Sequence, residues 1–286
     1  MNKTVSCLLT ACFFLQTGSA AQQSPDSMST SAVYEVPFEL RGGFLVVFEG
    51  RIAHLQNLKF VLDTGASYSV VDRKVAQRLS LRRHAGRVFS FDKYISVERA
   101  DFAVVQFGPI EVHNVSLMVA DLGNSWGFPG HADAIIGLDL LGQSKGFLID
   151  YTARKLHFRA QTPSRVPLTQ VPLFLTLKVL VQGQPVHLLV DTGMDGILLY
   201  EDRLRKRLPN IRLEDQKDGI RIGYFRVKQA RLPGVVLSGT ELEPTVSMMK
   251  GPSDSPLSGV DGYVGTAALN ARRVEFNFET NSLAWN

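Results

Sequence analysis

Cysteine is nearly absent from this sequence of 286 residues, which contains only Cys7 and Cys12. Both lie in an N-terminal segment that we expect to be removed, so the mature chain would hold neither a disulfide framework nor a cysteine-based metal site.

Long apolar runs are also missing. The best candidate, residues 5–15, is far shorter than the roughly 20 residues that a membrane-spanning helix requires. A multi-span membrane protein is therefore excluded.

An excess of one charge is missing too. Lys and Arg number 31 against 27 Asp and Glu, a formal net charge of +4, which is too small to indicate a nucleic-acid partner. The 6 histidines show no metal-ligand spacing, and no phosphate-binding or dinucleotide fingerprint is present. The sequence therefore predicts no metal and no cofactor.

The N-terminus has the three parts of a secretory signal peptide. Lys3 supplies a positive charge, residues 5–15 an apolar core, and residues 18–21 small side chains suited to cleavage after position 20 or 21. A polar run follows at once and is typical of a linker. We therefore expect residues 1–20 to be a signal peptide and the mature protein to be secreted or periplasmic.

A lipid anchor is the alternative reading of the same segment. The residues Leu9-Thr10-Ala11-Cys12 resemble a bacterial lipobox, which would leave the protein anchored through Cys12. The apolar run before Cys12 is short for that purpose, so this alternative ranks second.

An internal repeat organises the rest of the chain. Residues 60–65 recur as residues 188–193, and residues 134–137 recur as residues 262–265, both at an offset of 128. Self-similarity at one fixed offset indicates a duplicated domain. We expect an N-terminal lobe over residues 21–160 and a C-terminal lobe over residues 161–286.

The local patterns favour strands. Apolar runs in both halves are short, rich in β-branched and aromatic residues, and separated by Gly, Pro or Asn. Helical patterns are few, and the best cover residues 72–79, with Asp72 as N-cap, and residues 201–208. Mostly-β lobes of this size usually fold as closed or packed sheets.

The repeated motif carries a carboxylate. Asp63 and Asp191 each end an apolar strand and are followed by Thr and Gly. One such tripeptide is only a turn, but two in a duplicated domain can be brought to one place by a pseudo-twofold axis. Two adjacent carboxyl groups share a proton, so the charged one can act as general base on a water while the other polarises a carbonyl.

In these motifs the sequence resembles the pepsin/retropepsin-like aspartic peptidases. Each half has the family's hydrophobic-hydrophobic-Asp-Thr-Gly segment and a later hydrophobic-hydrophobic-Gly segment, here Ile135-Ile136-Gly137 and Tyr263-Val264-Gly265. The resemblance implies a mostly-β, bilobal acid-protease fold with two pseudo-twofold-related β-barrel lobes. It also implies these roles: Asp63 and Asp191 catalytic; Thr64, Gly65, Thr192 and Gly193 supporting the dyad, the threonines by hydrogen bonds across the lobe interface; Ser67 and Asp195 substrate-binding.

Departures from the pepsin pattern point to two retropepsin-type units fused in tandem, as in bacterial secreted members. The lobes are shorter than pepsin's, and Ala66 and Met194 stand where pepsin-type enzymes usually carry a hydroxyl donor to the catalytic carboxylate. We therefore expect a higher dyad pKa than pepsin's and an optimum between mildly acidic and neutral pH. Residues 87–97 and 218–227 are the candidate flap hairpins.

These observations predict a monomeric aspartic endopeptidase, a hydrolase that cleaves an extended polypeptide substrate through a water activated between Asp63 and Asp191. The alternative is a catalytically inactive peptide-binding module of the same fold, suggested by Met194 and the less regular second half. Both aspartates and both threonines are retained, which favours the enzyme.

Overall fold

The computed structural model describes residues 34–90, 93–125, 130–158, 166–167, 169–171, 174–222, 225–237, 239–242, 244–251 and 259–286. The fold is mostly β. Its strands are β1 Tyr34–Arg41, β2 Leu45–Ile52, β3 Leu55–Leu62, β4 Val70–Asp72, β5 Arg83–Ser90, β6 Lys93–Phe107, β7 Ile110–Ala120, β8 Ala134–Ile136, β9 Gly146–Asp150, β10 Lys155–Phe158, β11 Val166–Pro167, β12 Thr169–Val171, β13 Phe174–Val181, β14 Gln184–Asp191, β15 Ile197–Tyr200, β16 Glu214–Ile222, β17 Phe225–Arg231, β18 Val235–Leu237, β19 Thr240–Leu242, β20 Thr245–Met249, β21 Gly262–Gly265, β22 Arg273–Asn277 and β23 Ser282–Trp285. The helices are α1 Arg73–Arg78, α2 Leu122–Ser125, α3 Leu138–Leu141, α4 Glu201–Arg207 and a 3₁₀ turn over Thr266–Leu269. Within the described ranges, no helix is long and apolar enough to span a membrane.

Two large sheets carry these strands. The first has 13 strands in the order β11-β23-β22-β9-β10-β1-β2-β3-β8-β4-β7-β6-β5, and the second has 10, with β16-β17-β20-β15-β21-β14-β13-β18-β19 as its main path. The first sheet takes β22 and β23 from the C-terminal end of the chain, since β22 pairs with β9. The two halves of the sequence are therefore joined by backbone hydrogen bonds.

Each half threads a short strand behind its Asp-Thr-Gly turn. β8 lies between β3, to which it is parallel, and β4, to which it is antiparallel. β21 lies in the same way between β14 and β15. Val61 pairs with Ile135 and Leu189 pairs with Tyr263, so the register recurs at the offset of 128 seen in the sequence.

Aromatic side chains fill the core beneath these strands. Phe48 and Phe60 meet edge to face with ring centroids 6.0 Å apart, and both are almost fully buried. Phe147 of β9 stacks on Phe276 of β22 at 4.9 Å. Burying each phenylalanine contributes about 2 kcal/mol, so the first pair stabilises β3, which leads to Asp63, and the second stabilises the pairing of β9 with β22.

Both predicted helices are present, and their ends lie within one residue of the expected bounds. α1 begins after Asp72, whose side chain accepts a hydrogen bond from the Lys74 N–H as an N-cap should. α4 has acids in its first turn and arginines in its last, as the helix dipole prefers. The single turns α2 and α3 were not predicted, because one turn is too short to show helical periodicity.

Several sequence expectations lie outside the described residues. These are the signal peptide over residues 1–20, the alternative anchor at Cys12 and the boundary between the two lobes at residues 160 and 161. The two candidate flap segments do fall on hairpins, β5–β6 and β16–β17, although both hairpin turns are among the residues not described.

Candidate active site

The two motif aspartates lie close together in the protein interior. Asp63 directly follows β3 and Asp191 ends β14, and both are fully buried. A Cβ built on Gly65 would lie 2.4 Å from Cγ of Asp191, and one built on Gly193 would lie 3.1 Å from Cγ of Asp63. Each turn therefore packs against the aspartate of the other half, and only glycine permits so close an approach.

Thr64 and Thr192 exchange hydrogen bonds between the two turns. The Thr64 hydroxyl donates to the carbonyl of Val190 at 2.8 Å, and the Thr192 hydroxyl donates to the carbonyl of Leu62 at 2.9 Å. Each hydroxyl also accepts the backbone N–H of the other threonine, at 3.0 and 3.1 Å. These four bonds fix the spacing and orientation of the aspartates.

Asp63 is buried but well supplied with donors. Its Oδ1 accepts the backbone N–H groups of Gly65 at 2.9 Å and Ala66 at 3.0 Å. Burial raises the pKa of Asp63 to about 7, although the neighbouring carboxyl group of Asp191 and the backbone N–H groups of Gly65 and Ala66 oppose the rise.

Asp191 has weaker support. Its Oδ1 accepts one backbone N–H, from Gly193 at 2.8 Å. Burial raises its pKa well above the ordinary value, and the charge of nearby Asp63 raises it further. The pair therefore holds one proton in common, because a second ionisation would place two like charges side by side in the protein interior.

The Oδ2 atoms of the two aspartates have different surroundings from the Oδ1 atoms. The Oδ2 atoms of Asp63 and Asp191 are buried, and neither accepts a hydrogen bond from an N–H or hydroxyl of the described residues. Buried acceptors are normally satisfied, so these two unsatisfied atoms are the unusual polar feature of the pair.

The glycines of the threaded strands are sterically required. A Cβ on Gly137 would lie 2.7 Å from the carbonyl oxygen of Ala66, and one on Gly265 would lie 2.1 Å from that of Met194. Ala66 and Met194 are themselves equivalent positions of the repeat. The strand ends thus support the backbone of the loops that hold the aspartates.

A series of hydrogen bonds in the first half of the protein has no counterpart in the second half. The Gly137 N–H donates to Ser69 Oγ at 2.9 Å, and that hydroxyl donates to Asp139 at 2.6 Å. The equivalent positions of the second half are Ile197 and Ala267. Sequence comparison of the halves therefore could not identify Ser69 and Asp139.

A duplicated pair of aspartates was missed, although the repeat contains a signal for it. Asp133 and Asp261 each precede their threaded-strand glycine by four positions and accept backbone N–H groups, from Lys59 at 2.8 Å and His187 at 2.9 Å. His131 lies 2.8 Å from Asp133. No cluster of three potential metal ligands occurs in the described part of the chain.

The two residues expected to bind substrate have different surroundings. Ser67 is buried and contributes to a cavity of about 370 Å³, whereas Asp195 is half-buried and outside its lining. The cavity is mostly apolar and is formed by both halves: Ser67, Tyr68, Leu138, Phe174, Leu175 and Phe278. Its volume suits a side chain or a small ligand.

Comparison with known proteins adds one match. No curated protein matches this chain. The family model described as "Aspartyl protease" matches residues 46–140, which include the first Asp-Thr-Gly turn and the threaded strand β8 but not Asp191. This match supports an aspartyl protease family for the chain.

Proposed function

We propose that the protein is an aspartic endopeptidase in which Asp63 and Asp191 act together on one water molecule. The observation that carries this proposal is the meeting of two Asp-Thr-Gly turns, each with its glycine against the opposite aspartate. A lone buried aspartate would destabilise the fold. A buried pair whose members accept different numbers of hydrogen bonds is instead suited to acid–base chemistry.

The unequal hydrogen bonding assigns the roles. Asp63, with two N–H donors, is the carboxylate that takes a proton from water. Asp191, to which we assign the shared proton because its Oδ1 has one N–H donor, donates that proton to the substrate carbonyl oxygen as the water oxygen attacks the carbonyl carbon. The tetrahedral product then breaks its C–N bond as the amide nitrogen takes up the proton held by Asp63, while one of its two hydroxyls returns a proton to Asp191 and becomes the carbonyl of the new carboxyl group. No covalent intermediate with the protein is needed.

The proposed substrate is an extended polypeptide. The apolar cavity beside Ser67 would accept an apolar side chain, and the hairpins β5–β6 and β16–β17 would close over the chain as flaps. Asp195, at the position equivalent to Ser67, is proposed to bind the other side of the substrate.

The proposal includes the organisation expected from the sequence. Residues 21–160 and 161–286 would form two pseudo-twofold-related β-barrel lobes, with residues 1–20 removed on secretion. Because one chain supplies both aspartates, a monomer would be active. A secreted or periplasmic location is proposed on the signal-like N-terminus alone.

The test is cleavage of a reduced, unfolded protein at near-neutral pH, with fragments identified by mass spectrometry. Wild type is compared with Asp63→Asn and Asp191→Asn, and with Asp202→Asn, an exposed aspartate of α4, as the matched control. In ¹⁸O-labelled water, hydrolysis places the label on the new carboxyl termini. We expect Asp202→Asn to cleave like wild type and both dyad variants to lose at least about 10³-fold in rate.

Two outcomes contradict the proposal. If a folded dyad variant formed fragments as fast as wild type, the substituted aspartate would have no part in catalysis. Tight binding of the unfolded protein without any fragments would favour the inactive peptide-binding module instead.

A further inference from the structure

A surface beside the first Asp-Thr-Gly loop is strongly basic. Residues 73–87, which form α1 and the start of β5, contain six Lys or Arg and no Asp or Glu. We call this surface the basic face, and its cations are Arg73, Lys74, Arg78, Arg82, Arg83 and Arg87. All except Arg73 are exposed.

Glu98 of β6 contacts the basic face, where it binds Arg73 at 2.5 Å and Arg83 at 2.9 Å. Since residues 73–87 themselves contain six cations and no acid, the segment is strongly positive and attracts anionic groups from solution.

The second half of the repeat provides an internal comparison. The equivalent residues, 201–215, contain five Lys or Arg but also four Asp or Glu. These acids pair locally: Glu201 binds Arg205 and Lys228 at 2.9 Å, and Glu214 binds Arg212 at 2.9 Å. The duplicated helix and strand therefore do not require a basic surface, and the excess charge is specific to the first half.

Protection of a sheet edge does not account for the charge either. β5 and β16 each lie at the end of their sheet, where charged residues discourage association with other strands. β16 carries charges of both signs for this purpose, in Glu214, Lys217 and Asp218. Protection of the edge therefore does not require that the charged residues of β5 be exclusively positive.

The basic face is connected to the candidate active site through β6. Val97 of β6 packs against an apolar cluster that contains Ala66, whose N–H binds Asp63. The next residue, Glu98, forms ion pairs with Arg73 and Arg83. A polypeptide that reaches the dyad past this hairpin would pass close to these cations.

We propose that the basic face recruits polypeptide substrates with acidic residues flanking the bond to be cleaved. This inference rests on the proposed peptidase function and adds a substrate class to it. Long-range attraction raises the rate of encounter and lowers KM, and added salt weakens it because the Debye length shortens.

The experiment uses three fluorogenic peptides with one apolar centre and flanks of three Glu, three Ser or three Lys. Values of kcat/KM are measured at about 20 and about 500 mM salt. We expect the Glu peptide to exceed the Lys peptide by about tenfold at low salt, mainly through KM, and the difference to vanish at high salt. The double variant Arg78→Glu, Arg82→Glu should lose the preference while cleaving the Ser peptide normally.

The matched control is Arg205→Glu, Lys206→Glu on α4, which changes the net charge equally and should retain the preference. Equal kcat/KM for all peptides, or a preference that survives in the Arg78/Arg82 variant, would overturn the inference. If that variant instead lost only binding to phosphatidylglycerol vesicles, a membrane surface would replace the peptide.

Failure of the proposed function is a separate result. If no peptide is cleaved, fluorescence anisotropy with the same three peptides still measures charge preference. Preferential binding of the Glu peptide, abolished in the Arg78/Arg82 variant, would support the inference, and equal binding would overturn it.

Discussion

The hydroxyl of Thr64 donates to the backbone beside Asp191, and the hydroxyl of Thr192 donates to the backbone beside Asp63. Each threonine therefore holds the aspartate of the opposite half rather than its own. Both side chains are fully buried, so their bonds are made without competition from water.

Thr192→Val should weaken the fold because the isosteric methyl group can neither donate nor accept. The carbonyl of Leu62 and the N–H of Thr64 would lose their partner, at a cost of about 2–3 kcal/mol in unfolding free energy. Thr192→Ser keeps the hydroxyl and serves as the control. Urea denaturation of both variants measures the difference, and equal stability would refute the structural role of these bonds.

Gly265→Ala should be poorly tolerated. Its Cβ would lie 2.1 Å from the backbone oxygen of Met194, which cannot move without shifting the loop that follows Asp191. We expect a loss of about 3 kcal/mol or more in thermal or urea unfolding. Gly123→Ala is the control, since its nearest neighbour would be 3.6 Å away. A Gly265 variant as stable as the control would contradict the close packing.

The stability of the protein should fall as pH rises from about 4 to 7. The pKa of Asp63 is raised from 3.8 to about 7 on folding, so its stabilising contribution is complete below its unfolded pKa and is lost as pH rises through its folded pKa. The pKa of Asp191 shifts in the same direction. Asp191→Asn removes one ionisation and the repulsion between the carboxylates.

Unfolding free energies of wild type and Asp191→Asn at several pH values check this prediction. The variant should gain stability relative to wild type between pH 4 and 7. Parallel curves would mean that the pair is not buried in solution as it is in the structure.

The repeat made much of the site predictable from sequence. Asp63, Asp191 and their threaded strands are related by one offset, so a duplicated fold has to bring equivalent residues to equivalent places. α1 was predictable because Asp72 caps it. The helix is thus predictable from a local capping residue, and the site from comparison of the two halves of the sequence.

Other features have no such signal. Pairing of β9 with β22 joins residues more than a hundred positions apart, and neither strand carries a pattern that selects the other. Ser69 and Asp139 form their contact only in the first half. The unequal donors to Asp63 and Asp191 depend on backbone N–H directions after each glycine, which side-chain patterns do not specify.

The central claim is that Asp63 and Asp191 form one dyad that works with a single proton. The most direct measurement is kcat/KM for an unfolded protein substrate from pH 3 to 8, beside folded Asp63→Asn and Asp191→Asn variants. The account predicts a rise toward neutral pH as Asp63 ionises, and loss of activity in both variants. A maximum near pH 2, or full activity in either variant, would contradict it.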